Sequence, residues 1–268
     1  MRPKYQTEPQ GLTYREFEIK KKGGKTRKIC APSKELKKVQ RKELRELFKY
    51  YKKATKGSII QDTAHGFLRG KSCVTAAKHH IGFKTTIMMD ISAFFDTVTE
   101  AMIPKHLRKD IFFHKEGRYT AQGFVTSPML ANIASIDMIS DIKEYLILHH
   151  EDHAFIIYAD DLSISINSED YKVSAEIIRS VTTIIEAYRF KVNAKKTRIK
   201  YAKFGYRRIL GINVGDTEIR ATRKIMRKIR AAKHQKKGPS LGGLTQWSLC
   251  KAPTYKPPWD GKPKPNQS

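Results

Sequence analysis

Residues 155–166 read Phe-Ile-Ile-Tyr-Ala-Asp-Asp-Leu-Ser-Ile-Ser-Ile, and this stretch decides the fold. Two runs that favour β-strands, Phe155–Tyr158 and Leu162–Ile166, flank the sequence Ala159-Asp160-Asp161. The pattern predicts a β-hairpin that carries two carboxylates at its tip. An isolated Asp-Asp pair in a hairpin is more often a turn favoured by aspartate than an active site. Other parts of the sequence are therefore needed to distinguish a turn from an active site.

A third carboxylate follows another apolar run. Residues 85–89 read as a buried strand, and Asp90 comes directly after them. Strand ends within one sheet can bring Asp90, Asp160 and Asp161 close together, and such clustered negative charge is unfavourable without a cation. Oxygen ligands of this kind suit Mg²⁺, with Mn²⁺ as the alternative. Two such ions, about 3.5–4 Å apart, can support phosphoryl transfer.

The overall charge indicates what the protein binds. Lysine and arginine number 53 against 26 aspartates and glutamates, which gives a formal net charge of +27. The cations are spread along the whole chain. Such an excess favours a polyanionic partner, because neutralised phosphates release their counterions. Nucleic acid is therefore the expected partner, and a soluble basic protein such as a ribosome-associated one is the alternative.

Cysteine spacing and hydropathy indicate the compartment. Cys30, Cys73 and Cys250 lie far apart and form no C-x-x-C pair, so neither a zinc site nor a disulfide framework is predicted. The first ten residues are polar, without the apolar region of a signal peptide. No apolar run reaches the roughly 18 residues that span a bilayer. We therefore expect a cytoplasmic protein with no membrane partner.

The N-terminal part predicts a second hairpin and a long helix. Residues Tyr14–Pro32 read as two strands around Gly23-Gly24, with many lysines and arginines at the turn. Ser33 fits the N-cap of a helix that runs to about Tyr51. We therefore expect a basic hairpin that leads directly into an amphipathic helix.

The C-terminal half predicts several further elements. We expect one long helix from Met129 to about Leu148, a strand near Phe190–Val192, and a very basic helix from Arg223 to about Lys236. From Gly238 the chain is rich in proline, glycine and lysine. Residues 238–268 are therefore expected to form a flexible basic tail.

Seven motifs resemble, in order and spacing, those of reverse transcriptases of the retron and group II intron-like class. The resemblance spans about residues 14–234. The motifs are Arg27-Lys28-Ile29 with Pro32, His65-Gly66-Phe67 with Gly70-Lys71-Ser72, Asp90 to Asp96, Gln122 to Pro128 with Leu130-Ala131-Asn132, Tyr158 to Asp161, Asn193 to Thr197, and Leu210-Gly211. Each motif alone is weak evidence, whereas seven in order leave little room for coincidence.

The resemblance implies an α+β fold, the right-hand polymerase fold of fingers, palm and thumb. Residues 1–86 would form the fingers, and residues 87–215 the palm, with a fingers-side insertion at about 100–125. Residues 216–237 would form a short helical thumb, followed by the tail at 238–268. A fuller thumb would have about three helices, so we expect help from a structured non-coding RNA or a second protein subunit.

The resemblance also implies the metal ligands. Asp90 and Asp160 are expected to bind both metal ions, and Asp161 to complete the cluster. The carbonyl of Ile91 is expected to bind the metal ion of the nucleotide. Together with the third carboxylate, the resemblance favours the active-site interpretation of the hairpin tip over a simple turn.

The same resemblance implies the contacts to the nucleotide. Phe95 matches the steric gate that would collide with a ribose 2′-OH, and a core aromatic is its alternative role. Gln122 is expected to contact the incoming nucleotide. Lys21 and Arg27 are expected to bind the triphosphate, although the hairpin length does not separate Lys21 from its neighbouring lysines, and a solvated charged face is the alternative.

Two motifs after the hairpin are expected to contribute further catalytic and primer-binding residues. Lys196 is expected either to donate a proton to the leaving pyrophosphate or only to bind phosphate. Leu210 and Gly211 resemble the primer-grip turn. However, the Val-Thr-Gly signature of retrons reads Ile209-Leu210-Gly211 here, and Val125 stands where the family usually has alanine or proline.

The resulting hypothesis is an RNA-directed DNA polymerase that uses two Mg²⁺ ions. Its partners would be an RNA template, a nucleic-acid primer and deoxynucleotides, and related bacterial enzymes often serve in phage defence. The alternatives are an RNA-binding scaffold with a vestigial polymerase site, and an RNA-dependent RNA polymerase. The intact set of three carboxylates disfavours the scaffold, and Phe95 with the Tyr-Ala-Asp-Asp sequence disfavours synthesis of RNA.

Overall fold

The computed structural model describes residues 5–7, 12–20, 24, 26–235 and 238–250. Contacts divide the chain into two compact units. The first unit holds residues up to 58 together with 93–137, and the second holds 59–92 together with 138–255. The expected boundaries of fingers, palm and thumb are not tested by this division and stay predictions.

The first unit begins with an antiparallel sheet of three strands, β1 (Tyr5–Thr7), β2 (Thr13–Lys20) and β3 (Thr26–Pro32). Strands β2 and β3 form the predicted basic hairpin, in which Tyr14 pairs with Pro32. The helix α1 (Lys34–Thr55) follows at once, and the hydroxyl oxygen of Ser33 accepts a hydrogen bond from the backbone N–H of Leu36. The predicted N-cap is thereby confirmed.

The rest of the first unit is built from short elements. The helices are α3 (Phe94–Thr97) and α4 (Ser127–Ala134), and three single-turn 3₁₀ helices lie between them at Glu100–Met102, Lys105–Leu107 and Asp110–Phe112. The helix α2 (Cys73–Lys78) precedes them in the chain and belongs to the second unit. A core cluster of Leu12, Tyr14, Cys30, Leu36, Ala121 and Phe124 holds the hairpin against α1 and the later loop.

The second unit is organised around a four-stranded antiparallel sheet with the order β5-β6-β4-β7. These strands are β4 (Thr85–Asp90), β5 (His153–Tyr158), β6 (Asp161–Ile166) and β7 (Arg198–Tyr201). The central strands β4 and β6 are almost entirely buried, which fits their continuous apolar and small residues. The sheet is accompanied by the helices α5 (Ile136–His149) and α6 (Tyr171–Ala187).

A smaller sheet completes the second unit. Its strands β8 (Arg207–Ile209), β9 (Ile212–Val214) and β10 (Ile219–Ala221) are antiparallel in sequential order. The helices α7 (Arg223–His234) and α8 (Gly238–Ser248) follow. No helix in the described part of the chain is long and apolar enough to cross a membrane.

Two sequence predictions about regular elements are wrong. The expected single helix from Met129 to Leu148 is two helices, which break at Ser135. There the serine hydroxyl donates to the carbonyl of Ala131, an alternative to continued helix that serine favours. The expected strand near Phe190–Val192 is reduced to one isolated bridge between Val192 and Ile91.

The predicted flexible tail is also corrected over its first part, because residues 238–248 form α8. Leu241, Leu244, Trp247 and Cys250 recur every third residue and are at least half-buried. Trp247 and Cys250 pack in a core cluster with the β8–β9 sheet and α2. The many glycines and prolines obscured this apolar stripe. The remainder of the expected tail, residues 251–268, lies outside the described residues.

Candidate active site

The pairing of β4 with β6 brings the predicted carboxylates to one end of the sheet. Asp90 is the register partner of Asp161, and Asp161 also pairs with Tyr158 across the hairpin. The backbone N–H of Ile91 donates to the carbonyl of Asp160 at 2.8 Å. Asp90 is 5% exposed, whereas Asp161 is solvent-exposed. The site therefore has a buried floor and an open rim that a cation can reach.

The hairpin tip has a special backbone shape. Ala159 adopts a left-handed conformation with a φ of 56°, which is uncommon for a residue with a Cβ. The preceding segment fixes the hairpin from the side, because the N–H of His65 donates to the Ile157 carbonyl and the N–H of Ile157 donates to the Thr63 carbonyl. A Cβ on Gly66 would stand 2.6 Å from the Ala159 nitrogen. The glycine of the His65-Gly66-Phe67 motif is therefore required by close backbone approach.

Lys196 reaches the carboxylate cluster from the loop after α6. Its ammonium Nζ lies 2.6 Å from Oδ2 of Asp90. The loop itself is held by a hydrogen bond of 2.7 Å from the Asn193 N–H to the Asp90 carbonyl. The hydrogen bond to Asp90 raises the pKa of Lys196, so the side chain is a cation at neutral pH. Lys196 thus belongs to the cluster by geometry.

The electrostatics of Asp161 explain why the cluster suits a cation. Partial burial of the carboxyl, together with the negative charges of Asp160 and Asp90, raises the pKa of Asp161 to about 6, and Lys196 opposes this shift. The residue as a whole stays exposed, so we give the neighbouring charges more weight than desolvation. The donor atoms are all oxygens, and they fit Mg²⁺ or Mn²⁺ better than a thiolate-seeking metal.

Of the predicted nucleotide-binding residues, Arg27, Phe95 and Gln122 lie in the first unit and Ile91 in the second. Phe95 is in α3 and half-buried, whereas its neighbour Phe94 is 3% exposed and belongs to the core. The Phe95 carbonyl accepts from the Thr120 hydroxyl at 2.7 Å. Phe94 is thus part of the core, whereas Phe95 is only partly buried, and its role as a gate stays a prediction. Arg27 is exposed on β3, and Lys21 lies outside the described residues.

The loop that carries Gln122 is tied down on both sides. The Gln122 carbonyl accepts from the Cys30 N–H at 2.8 Å, and a Cβ on Gly123 would collide with the Cys30 carbonyl. Gln40 of α1 is fully buried; its amide donates to the Ile111 carbonyl at 2.7 Å and accepts from the Val125 N–H at 3.0 Å. Gln40 is a positioning residue that sequence reasoning missed, and a glutamine among buried helix positions was its only signal.

The predicted primer-grip residues form the turn between β8 and β9. Leu210 has a φ of 47° and Gly211 a φ of 83°, and the flanking Ile209 and Ile212 are paired and fully buried. Two successive positive φ angles are typical of a tight two-residue hairpin. Leu210 packs against the core cluster that includes Ile209 and Ile212, so the turn lies on an apolar base. Its contact with a primer stays a prediction.

A buried polar network lies at the opposite end of β4, and the sequence did not reveal it. Arg207 is 1% exposed, and its guanidinium donates to the Thr86 hydroxyl at 3.2 Å and to the His80 carbonyl at 2.9 Å. The Ser165 hydroxyl bonds both the Thr86 hydroxyl and the His80 ring. Burial, helped by the charge of Arg207, lowers the pKa of His80 to about 3, so this histidine is neutral.

A separate group of possible metal ligands lies in the first unit. Glu16, Cys30 and His114 each offer one ligand atom within 4.8 Å of the others. However, the Lys28 ammonium lies 2.8 Å from Glu16, and His114 contacts the same carboxylate directly. An ion pair thus already neutralises Glu16. Cys30, Cys73 and Cys250 are free cysteines.

Comparison with known proteins agrees with this geometry. The family "Reverse transcriptase (RNA-dependent DNA polymerase)" matches residues 19–224. The retron Mx65 and Mx162 reverse transcriptases of Myxococcus xanthus are each 26% identical to the chain, over 83% and 84% of it and over 56% and 53% of their own length. The retron Ec86 reverse transcriptase of Escherichia coli is 28% identical over 82% of the chain and 69% of its own length.

The chain thus spans about half the length of the Myxococcus relatives that it matches. Among solved structures, telomerase from Candida tropicalis superimposes with a TM-score of 0.56 at 13% identity when bound to a fragment of telomeric RNA. That superposition covers 86% of this chain and 52% of the telomerase, and the apo form gives 0.53 at 14% identity over 81% and 50%.

These likenesses confirm the predicted α+β polymerase fold and the resemblance to retron enzymes. At such low identity, the similarity to the telomerase structures supports only a shared fold. The sequence match covers the carboxylate cluster, the Gln122 loop and the primer-grip turn alike. On this evidence the chain belongs to the reverse transcriptase (RNA-dependent DNA polymerase) family.

Proposed function

We propose that this chain synthesises DNA on an RNA template by a mechanism that uses two metal ions. The observation that carries the proposal is the strand register that pairs Asp90 with Asp161 and fixes Asp160 beside them at the open end of the sheet. A hairpin built only as a turn would not need a buried third carboxylate opposite it, since like charges placed together are unfavourable.

Asp90, Asp160 and Asp161, with the Ile91 carbonyl, would hold the ions. When bound, two Mg²⁺ ions lower the charge barrier between the attacking oxygen of the primer and the α-phosphate, and Mn²⁺ has the same ligand preference. By holding the ions, the carboxylates would fix the position at which the reacting phosphate binds. Their rigid attachment to β4 and the β5–β6 hairpin keeps this position through the reaction.

Residues of the first unit would select and bind the nucleotide. The accessible ring of Phe95 would exclude a ribose 2′-OH, and Gln122 would contact the base or sugar of the deoxynucleotide. Arg27, with Lys21 or a neighbouring lysine, would neutralise the triphosphate. The anchored Gln122 loop supports this role, because precise contacts need a backbone that does not shift.

Lys196 would act on the leaving group. Its ammonium lies against Asp90, at the edge of the carboxylate cluster, and the same cation would bind the leaving pyrophosphate. There it either donates a proton or only binds phosphate. A Lys196→Arg variant separates these roles, because arginine keeps the charge but does not give up its proton.

The primer and template would be held further along the second unit. Leu210 and Gly211 would contact the primer end, and the basic helix α7 would contact the duplex phosphates. A dedicated structured RNA or a second subunit would assist. We place the reaction in the cytoplasm and, by analogy with retrons, in phage defence.

Primer extension by the purified chain tests the proposal. We expect incorporation of deoxynucleotides on an RNA template with Mg²⁺ or Mn²⁺, and its loss in the double variant Asp160→Asn with Asp161→Asn. Activity that survives in this variant would remove the proposed site. Preference for ribonucleotides would favour an RNA polymerase, and RNA binding without any incorporation a vestigial scaffold.

The sugar gate needs its own comparison. Phe95→Ala should admit ribonucleotides, because the small side chain leaves room for the 2′-OH. The matched control is Phe94→Leu, which alters the neighbouring core ring and should leave sugar selectivity unchanged. Unaltered selectivity in Phe95→Ala would end the gate assignment.

A further inference from the structure

One face of α1 carries a continuous line of cations. Counted along the helix they are separated by steps of four, three, four, four, three and four residues, which places them on one face. A helix of 22 residues is about 33 Å long. All members of this cationic stripe are exposed, and they are Lys34, Lys38, Arg41, Arg45, Lys49, Lys52 and, just after the helix, Lys56.

The cationic stripe is not explained by the stability of the helix. The apolar face of α1, with Leu36, Leu44 and Leu47, is buried on the other side. Cations in the first turn oppose the helix dipole, and like charges four residues apart repel each other. Of the acidic residues of α1, Glu43 pairs with Lys109 outside the helix, and Glu46 pairs with Lys49. The pair of Lys49 with Glu46 joins two exposed side chains and therefore stabilises the helix little.

We propose that the cationic stripe of α1 is a docking surface for the phosphate backbone of an RNA stem. A straight row of charges about 33 Å long fits a regular phosphate row and would neutralise several phosphates at once. The choice of RNA rests on the proposed function, which already brings an RNA template to the protein. The stem is a helical part of that RNA, separate from the strand that is copied.

The side chains of α1 favour paired over unpaired RNA. Single strands are bound mainly by exposed aromatic rings on which bases stack. The aromatic residues of α1 do not provide such rings on the stripe, since Tyr51 is buried and Phe48 and Tyr50 are only partly exposed at its flanks. Recognition by phosphate contacts alone is typical of double-helical RNA, where shape rather than sequence is read.

The test measures the salt dependence of binding to a labelled RNA hairpin with a stem of about 16 base pairs. The full chain is used, without nucleotides or divalent ions, so that polymerase activity plays no part. Removing two phosphate contacts should lower the slope of log affinity against log salt by about two. For Lys38→Gln with Lys52→Gln we expect this change and a roughly tenfold loss of affinity at 0.15 M salt.

The matched control is Lys115→Gln with Lys172→Gln, which removes two exposed lysines outside the stripe. This variant should keep nearly the full slope and affinity, and thermal unfolding should be the same for both variants. Equal losses in both variants would overturn the proposal, because they would show only a general charge effect.

Two further probes decide the class of ligand. A single-stranded RNA of equal length, or a DNA duplex of equal length, that binds as tightly and is weakened equally by the stripe variant would overturn the assignment to an RNA stem. Failure of primer extension alone would overturn the polymerase proposal. It would leave the measured binding of the stem intact, so the two failures are distinguishable.

Discussion

The two ends of β4 in the second unit differ in how their polar side chains are paired. At one end, Asp90 meets Asp161, and partial burial together with repulsion from the neighbouring carboxylates raises the pKa of Asp161. At the other end, Thr86 joins Ser165 and Arg207 in a buried network of hydrogen bonds. Hydrogen bonds between buried polar groups stabilise a fold, whereas like charges held together do not. The difference indicates that the first end serves chemistry and the second end serves stability.

The largest expected effect is at the carboxylate end. Asp160→Asn should lower primer extension by about a thousandfold or more, because a ligand worth several kcal/mol to the transition state is lost. The free energy of unfolding should stay equal or rise, since one of the repelling charges is gone. Rates under single turnover and thermal unfolding without metal ions measure the two quantities. A strongly destabilised Asp160→Asn would contradict the comparison.

A substitution next to the hairpin should affect both properties. Gly66→Ala places a Cβ 2.6 Å from the Ala159 nitrogen, so the hairpin tip has to move. We expect a loss of about 1–3 kcal/mol in stability and a fall of roughly a hundredfold in activity, since small misplacements of reacting groups are costly. Gly70→Ala is the control, because nothing lies within 4 Å of its added Cβ, although its φ of 73° adds some strain. Equal activity in the two variants would remove Gly66 from its positioning role.

The network end should show the reverse pattern. Thr86→Val keeps the shape of the strand residue but removes the hydroxyl that bonds Ser165 and Arg207. Leaving these buried partners unsatisfied should cost about 1–3 kcal/mol, with little change in the rate of the chemical step. Thr85→Val breaks a single bond, to the Ser168 carbonyl, and should cost less. Chemical denaturation of both variants measures the difference, and a rate defect without destabilisation would contradict it.

The smallest effects concern pH, and the two ends should have opposite signs. Burial lowers the pKa of His80, at the network end, to about 3. The stabilising contribution of the neutral imidazole is complete above the unfolded value of about 6.5 and is lost as the pH falls towards the folded value. The raised pKa of Asp161 acts oppositely. The ionised Asp161 lowers the free energy of unfolding above pH 6, and this destabilisation is relieved as the pH falls from about 6 towards 4.

This pH dependence can be measured by thermal unfolding of the wild type and of Asp161→Asn between pH 4 and pH 8. The variant should be more stable than the wild type above pH 6, and the advantage should vanish near pH 4. For His80, the slope of the free energy of unfolding against pH should stay below about 1.4 kcal/mol per pH unit. An advantage of Asp161→Asn that grows with acid would reverse the sign and contradict the account.

The contrast between the two ends also shows how far a sequence can be interpreted. The carboxylate end could be predicted, because Asp90 and Tyr158 to Asp161 follow short runs that favour strands and belong to motifs that resemble those of the family, and the structure pairs Asp90 with Asp161. The network end could not be predicted, because Arg207 contacts Thr86, which is more than a hundred residues away in the sequence. A single arginine in a basic chain also gives no sequence signal that it is buried. The same holds for Gln40, whose partners lie 71 and 85 residues away.

Local signals failed where two tendencies competed. At Ser135 apolar periodicity continued across the position, but the serine hydroxyl satisfied a backbone carbonyl and ended the helix. In α8 the glycines favoured disorder, while Leu241, Leu244 and Trp247 supplied a face that packs. In both regions tertiary packing or a side-chain hydrogen bond outweighed the average tendency of the composition.

The most direct test of the carboxylate end is the binding of Mn²⁺, followed by electron paramagnetic resonance in the absence of nucleic acid and nucleotide. The wild type should bind the ion at the three carboxylates, and Asp90→Asn with Asp160→Asn should bind it at least tenfold more weakly, whereas Thr86→Val should bind it as the wild type does. Equal binding by the wild type and the double aspartate variant would contradict the conclusion that this end of the sheet is built to hold a metal ion.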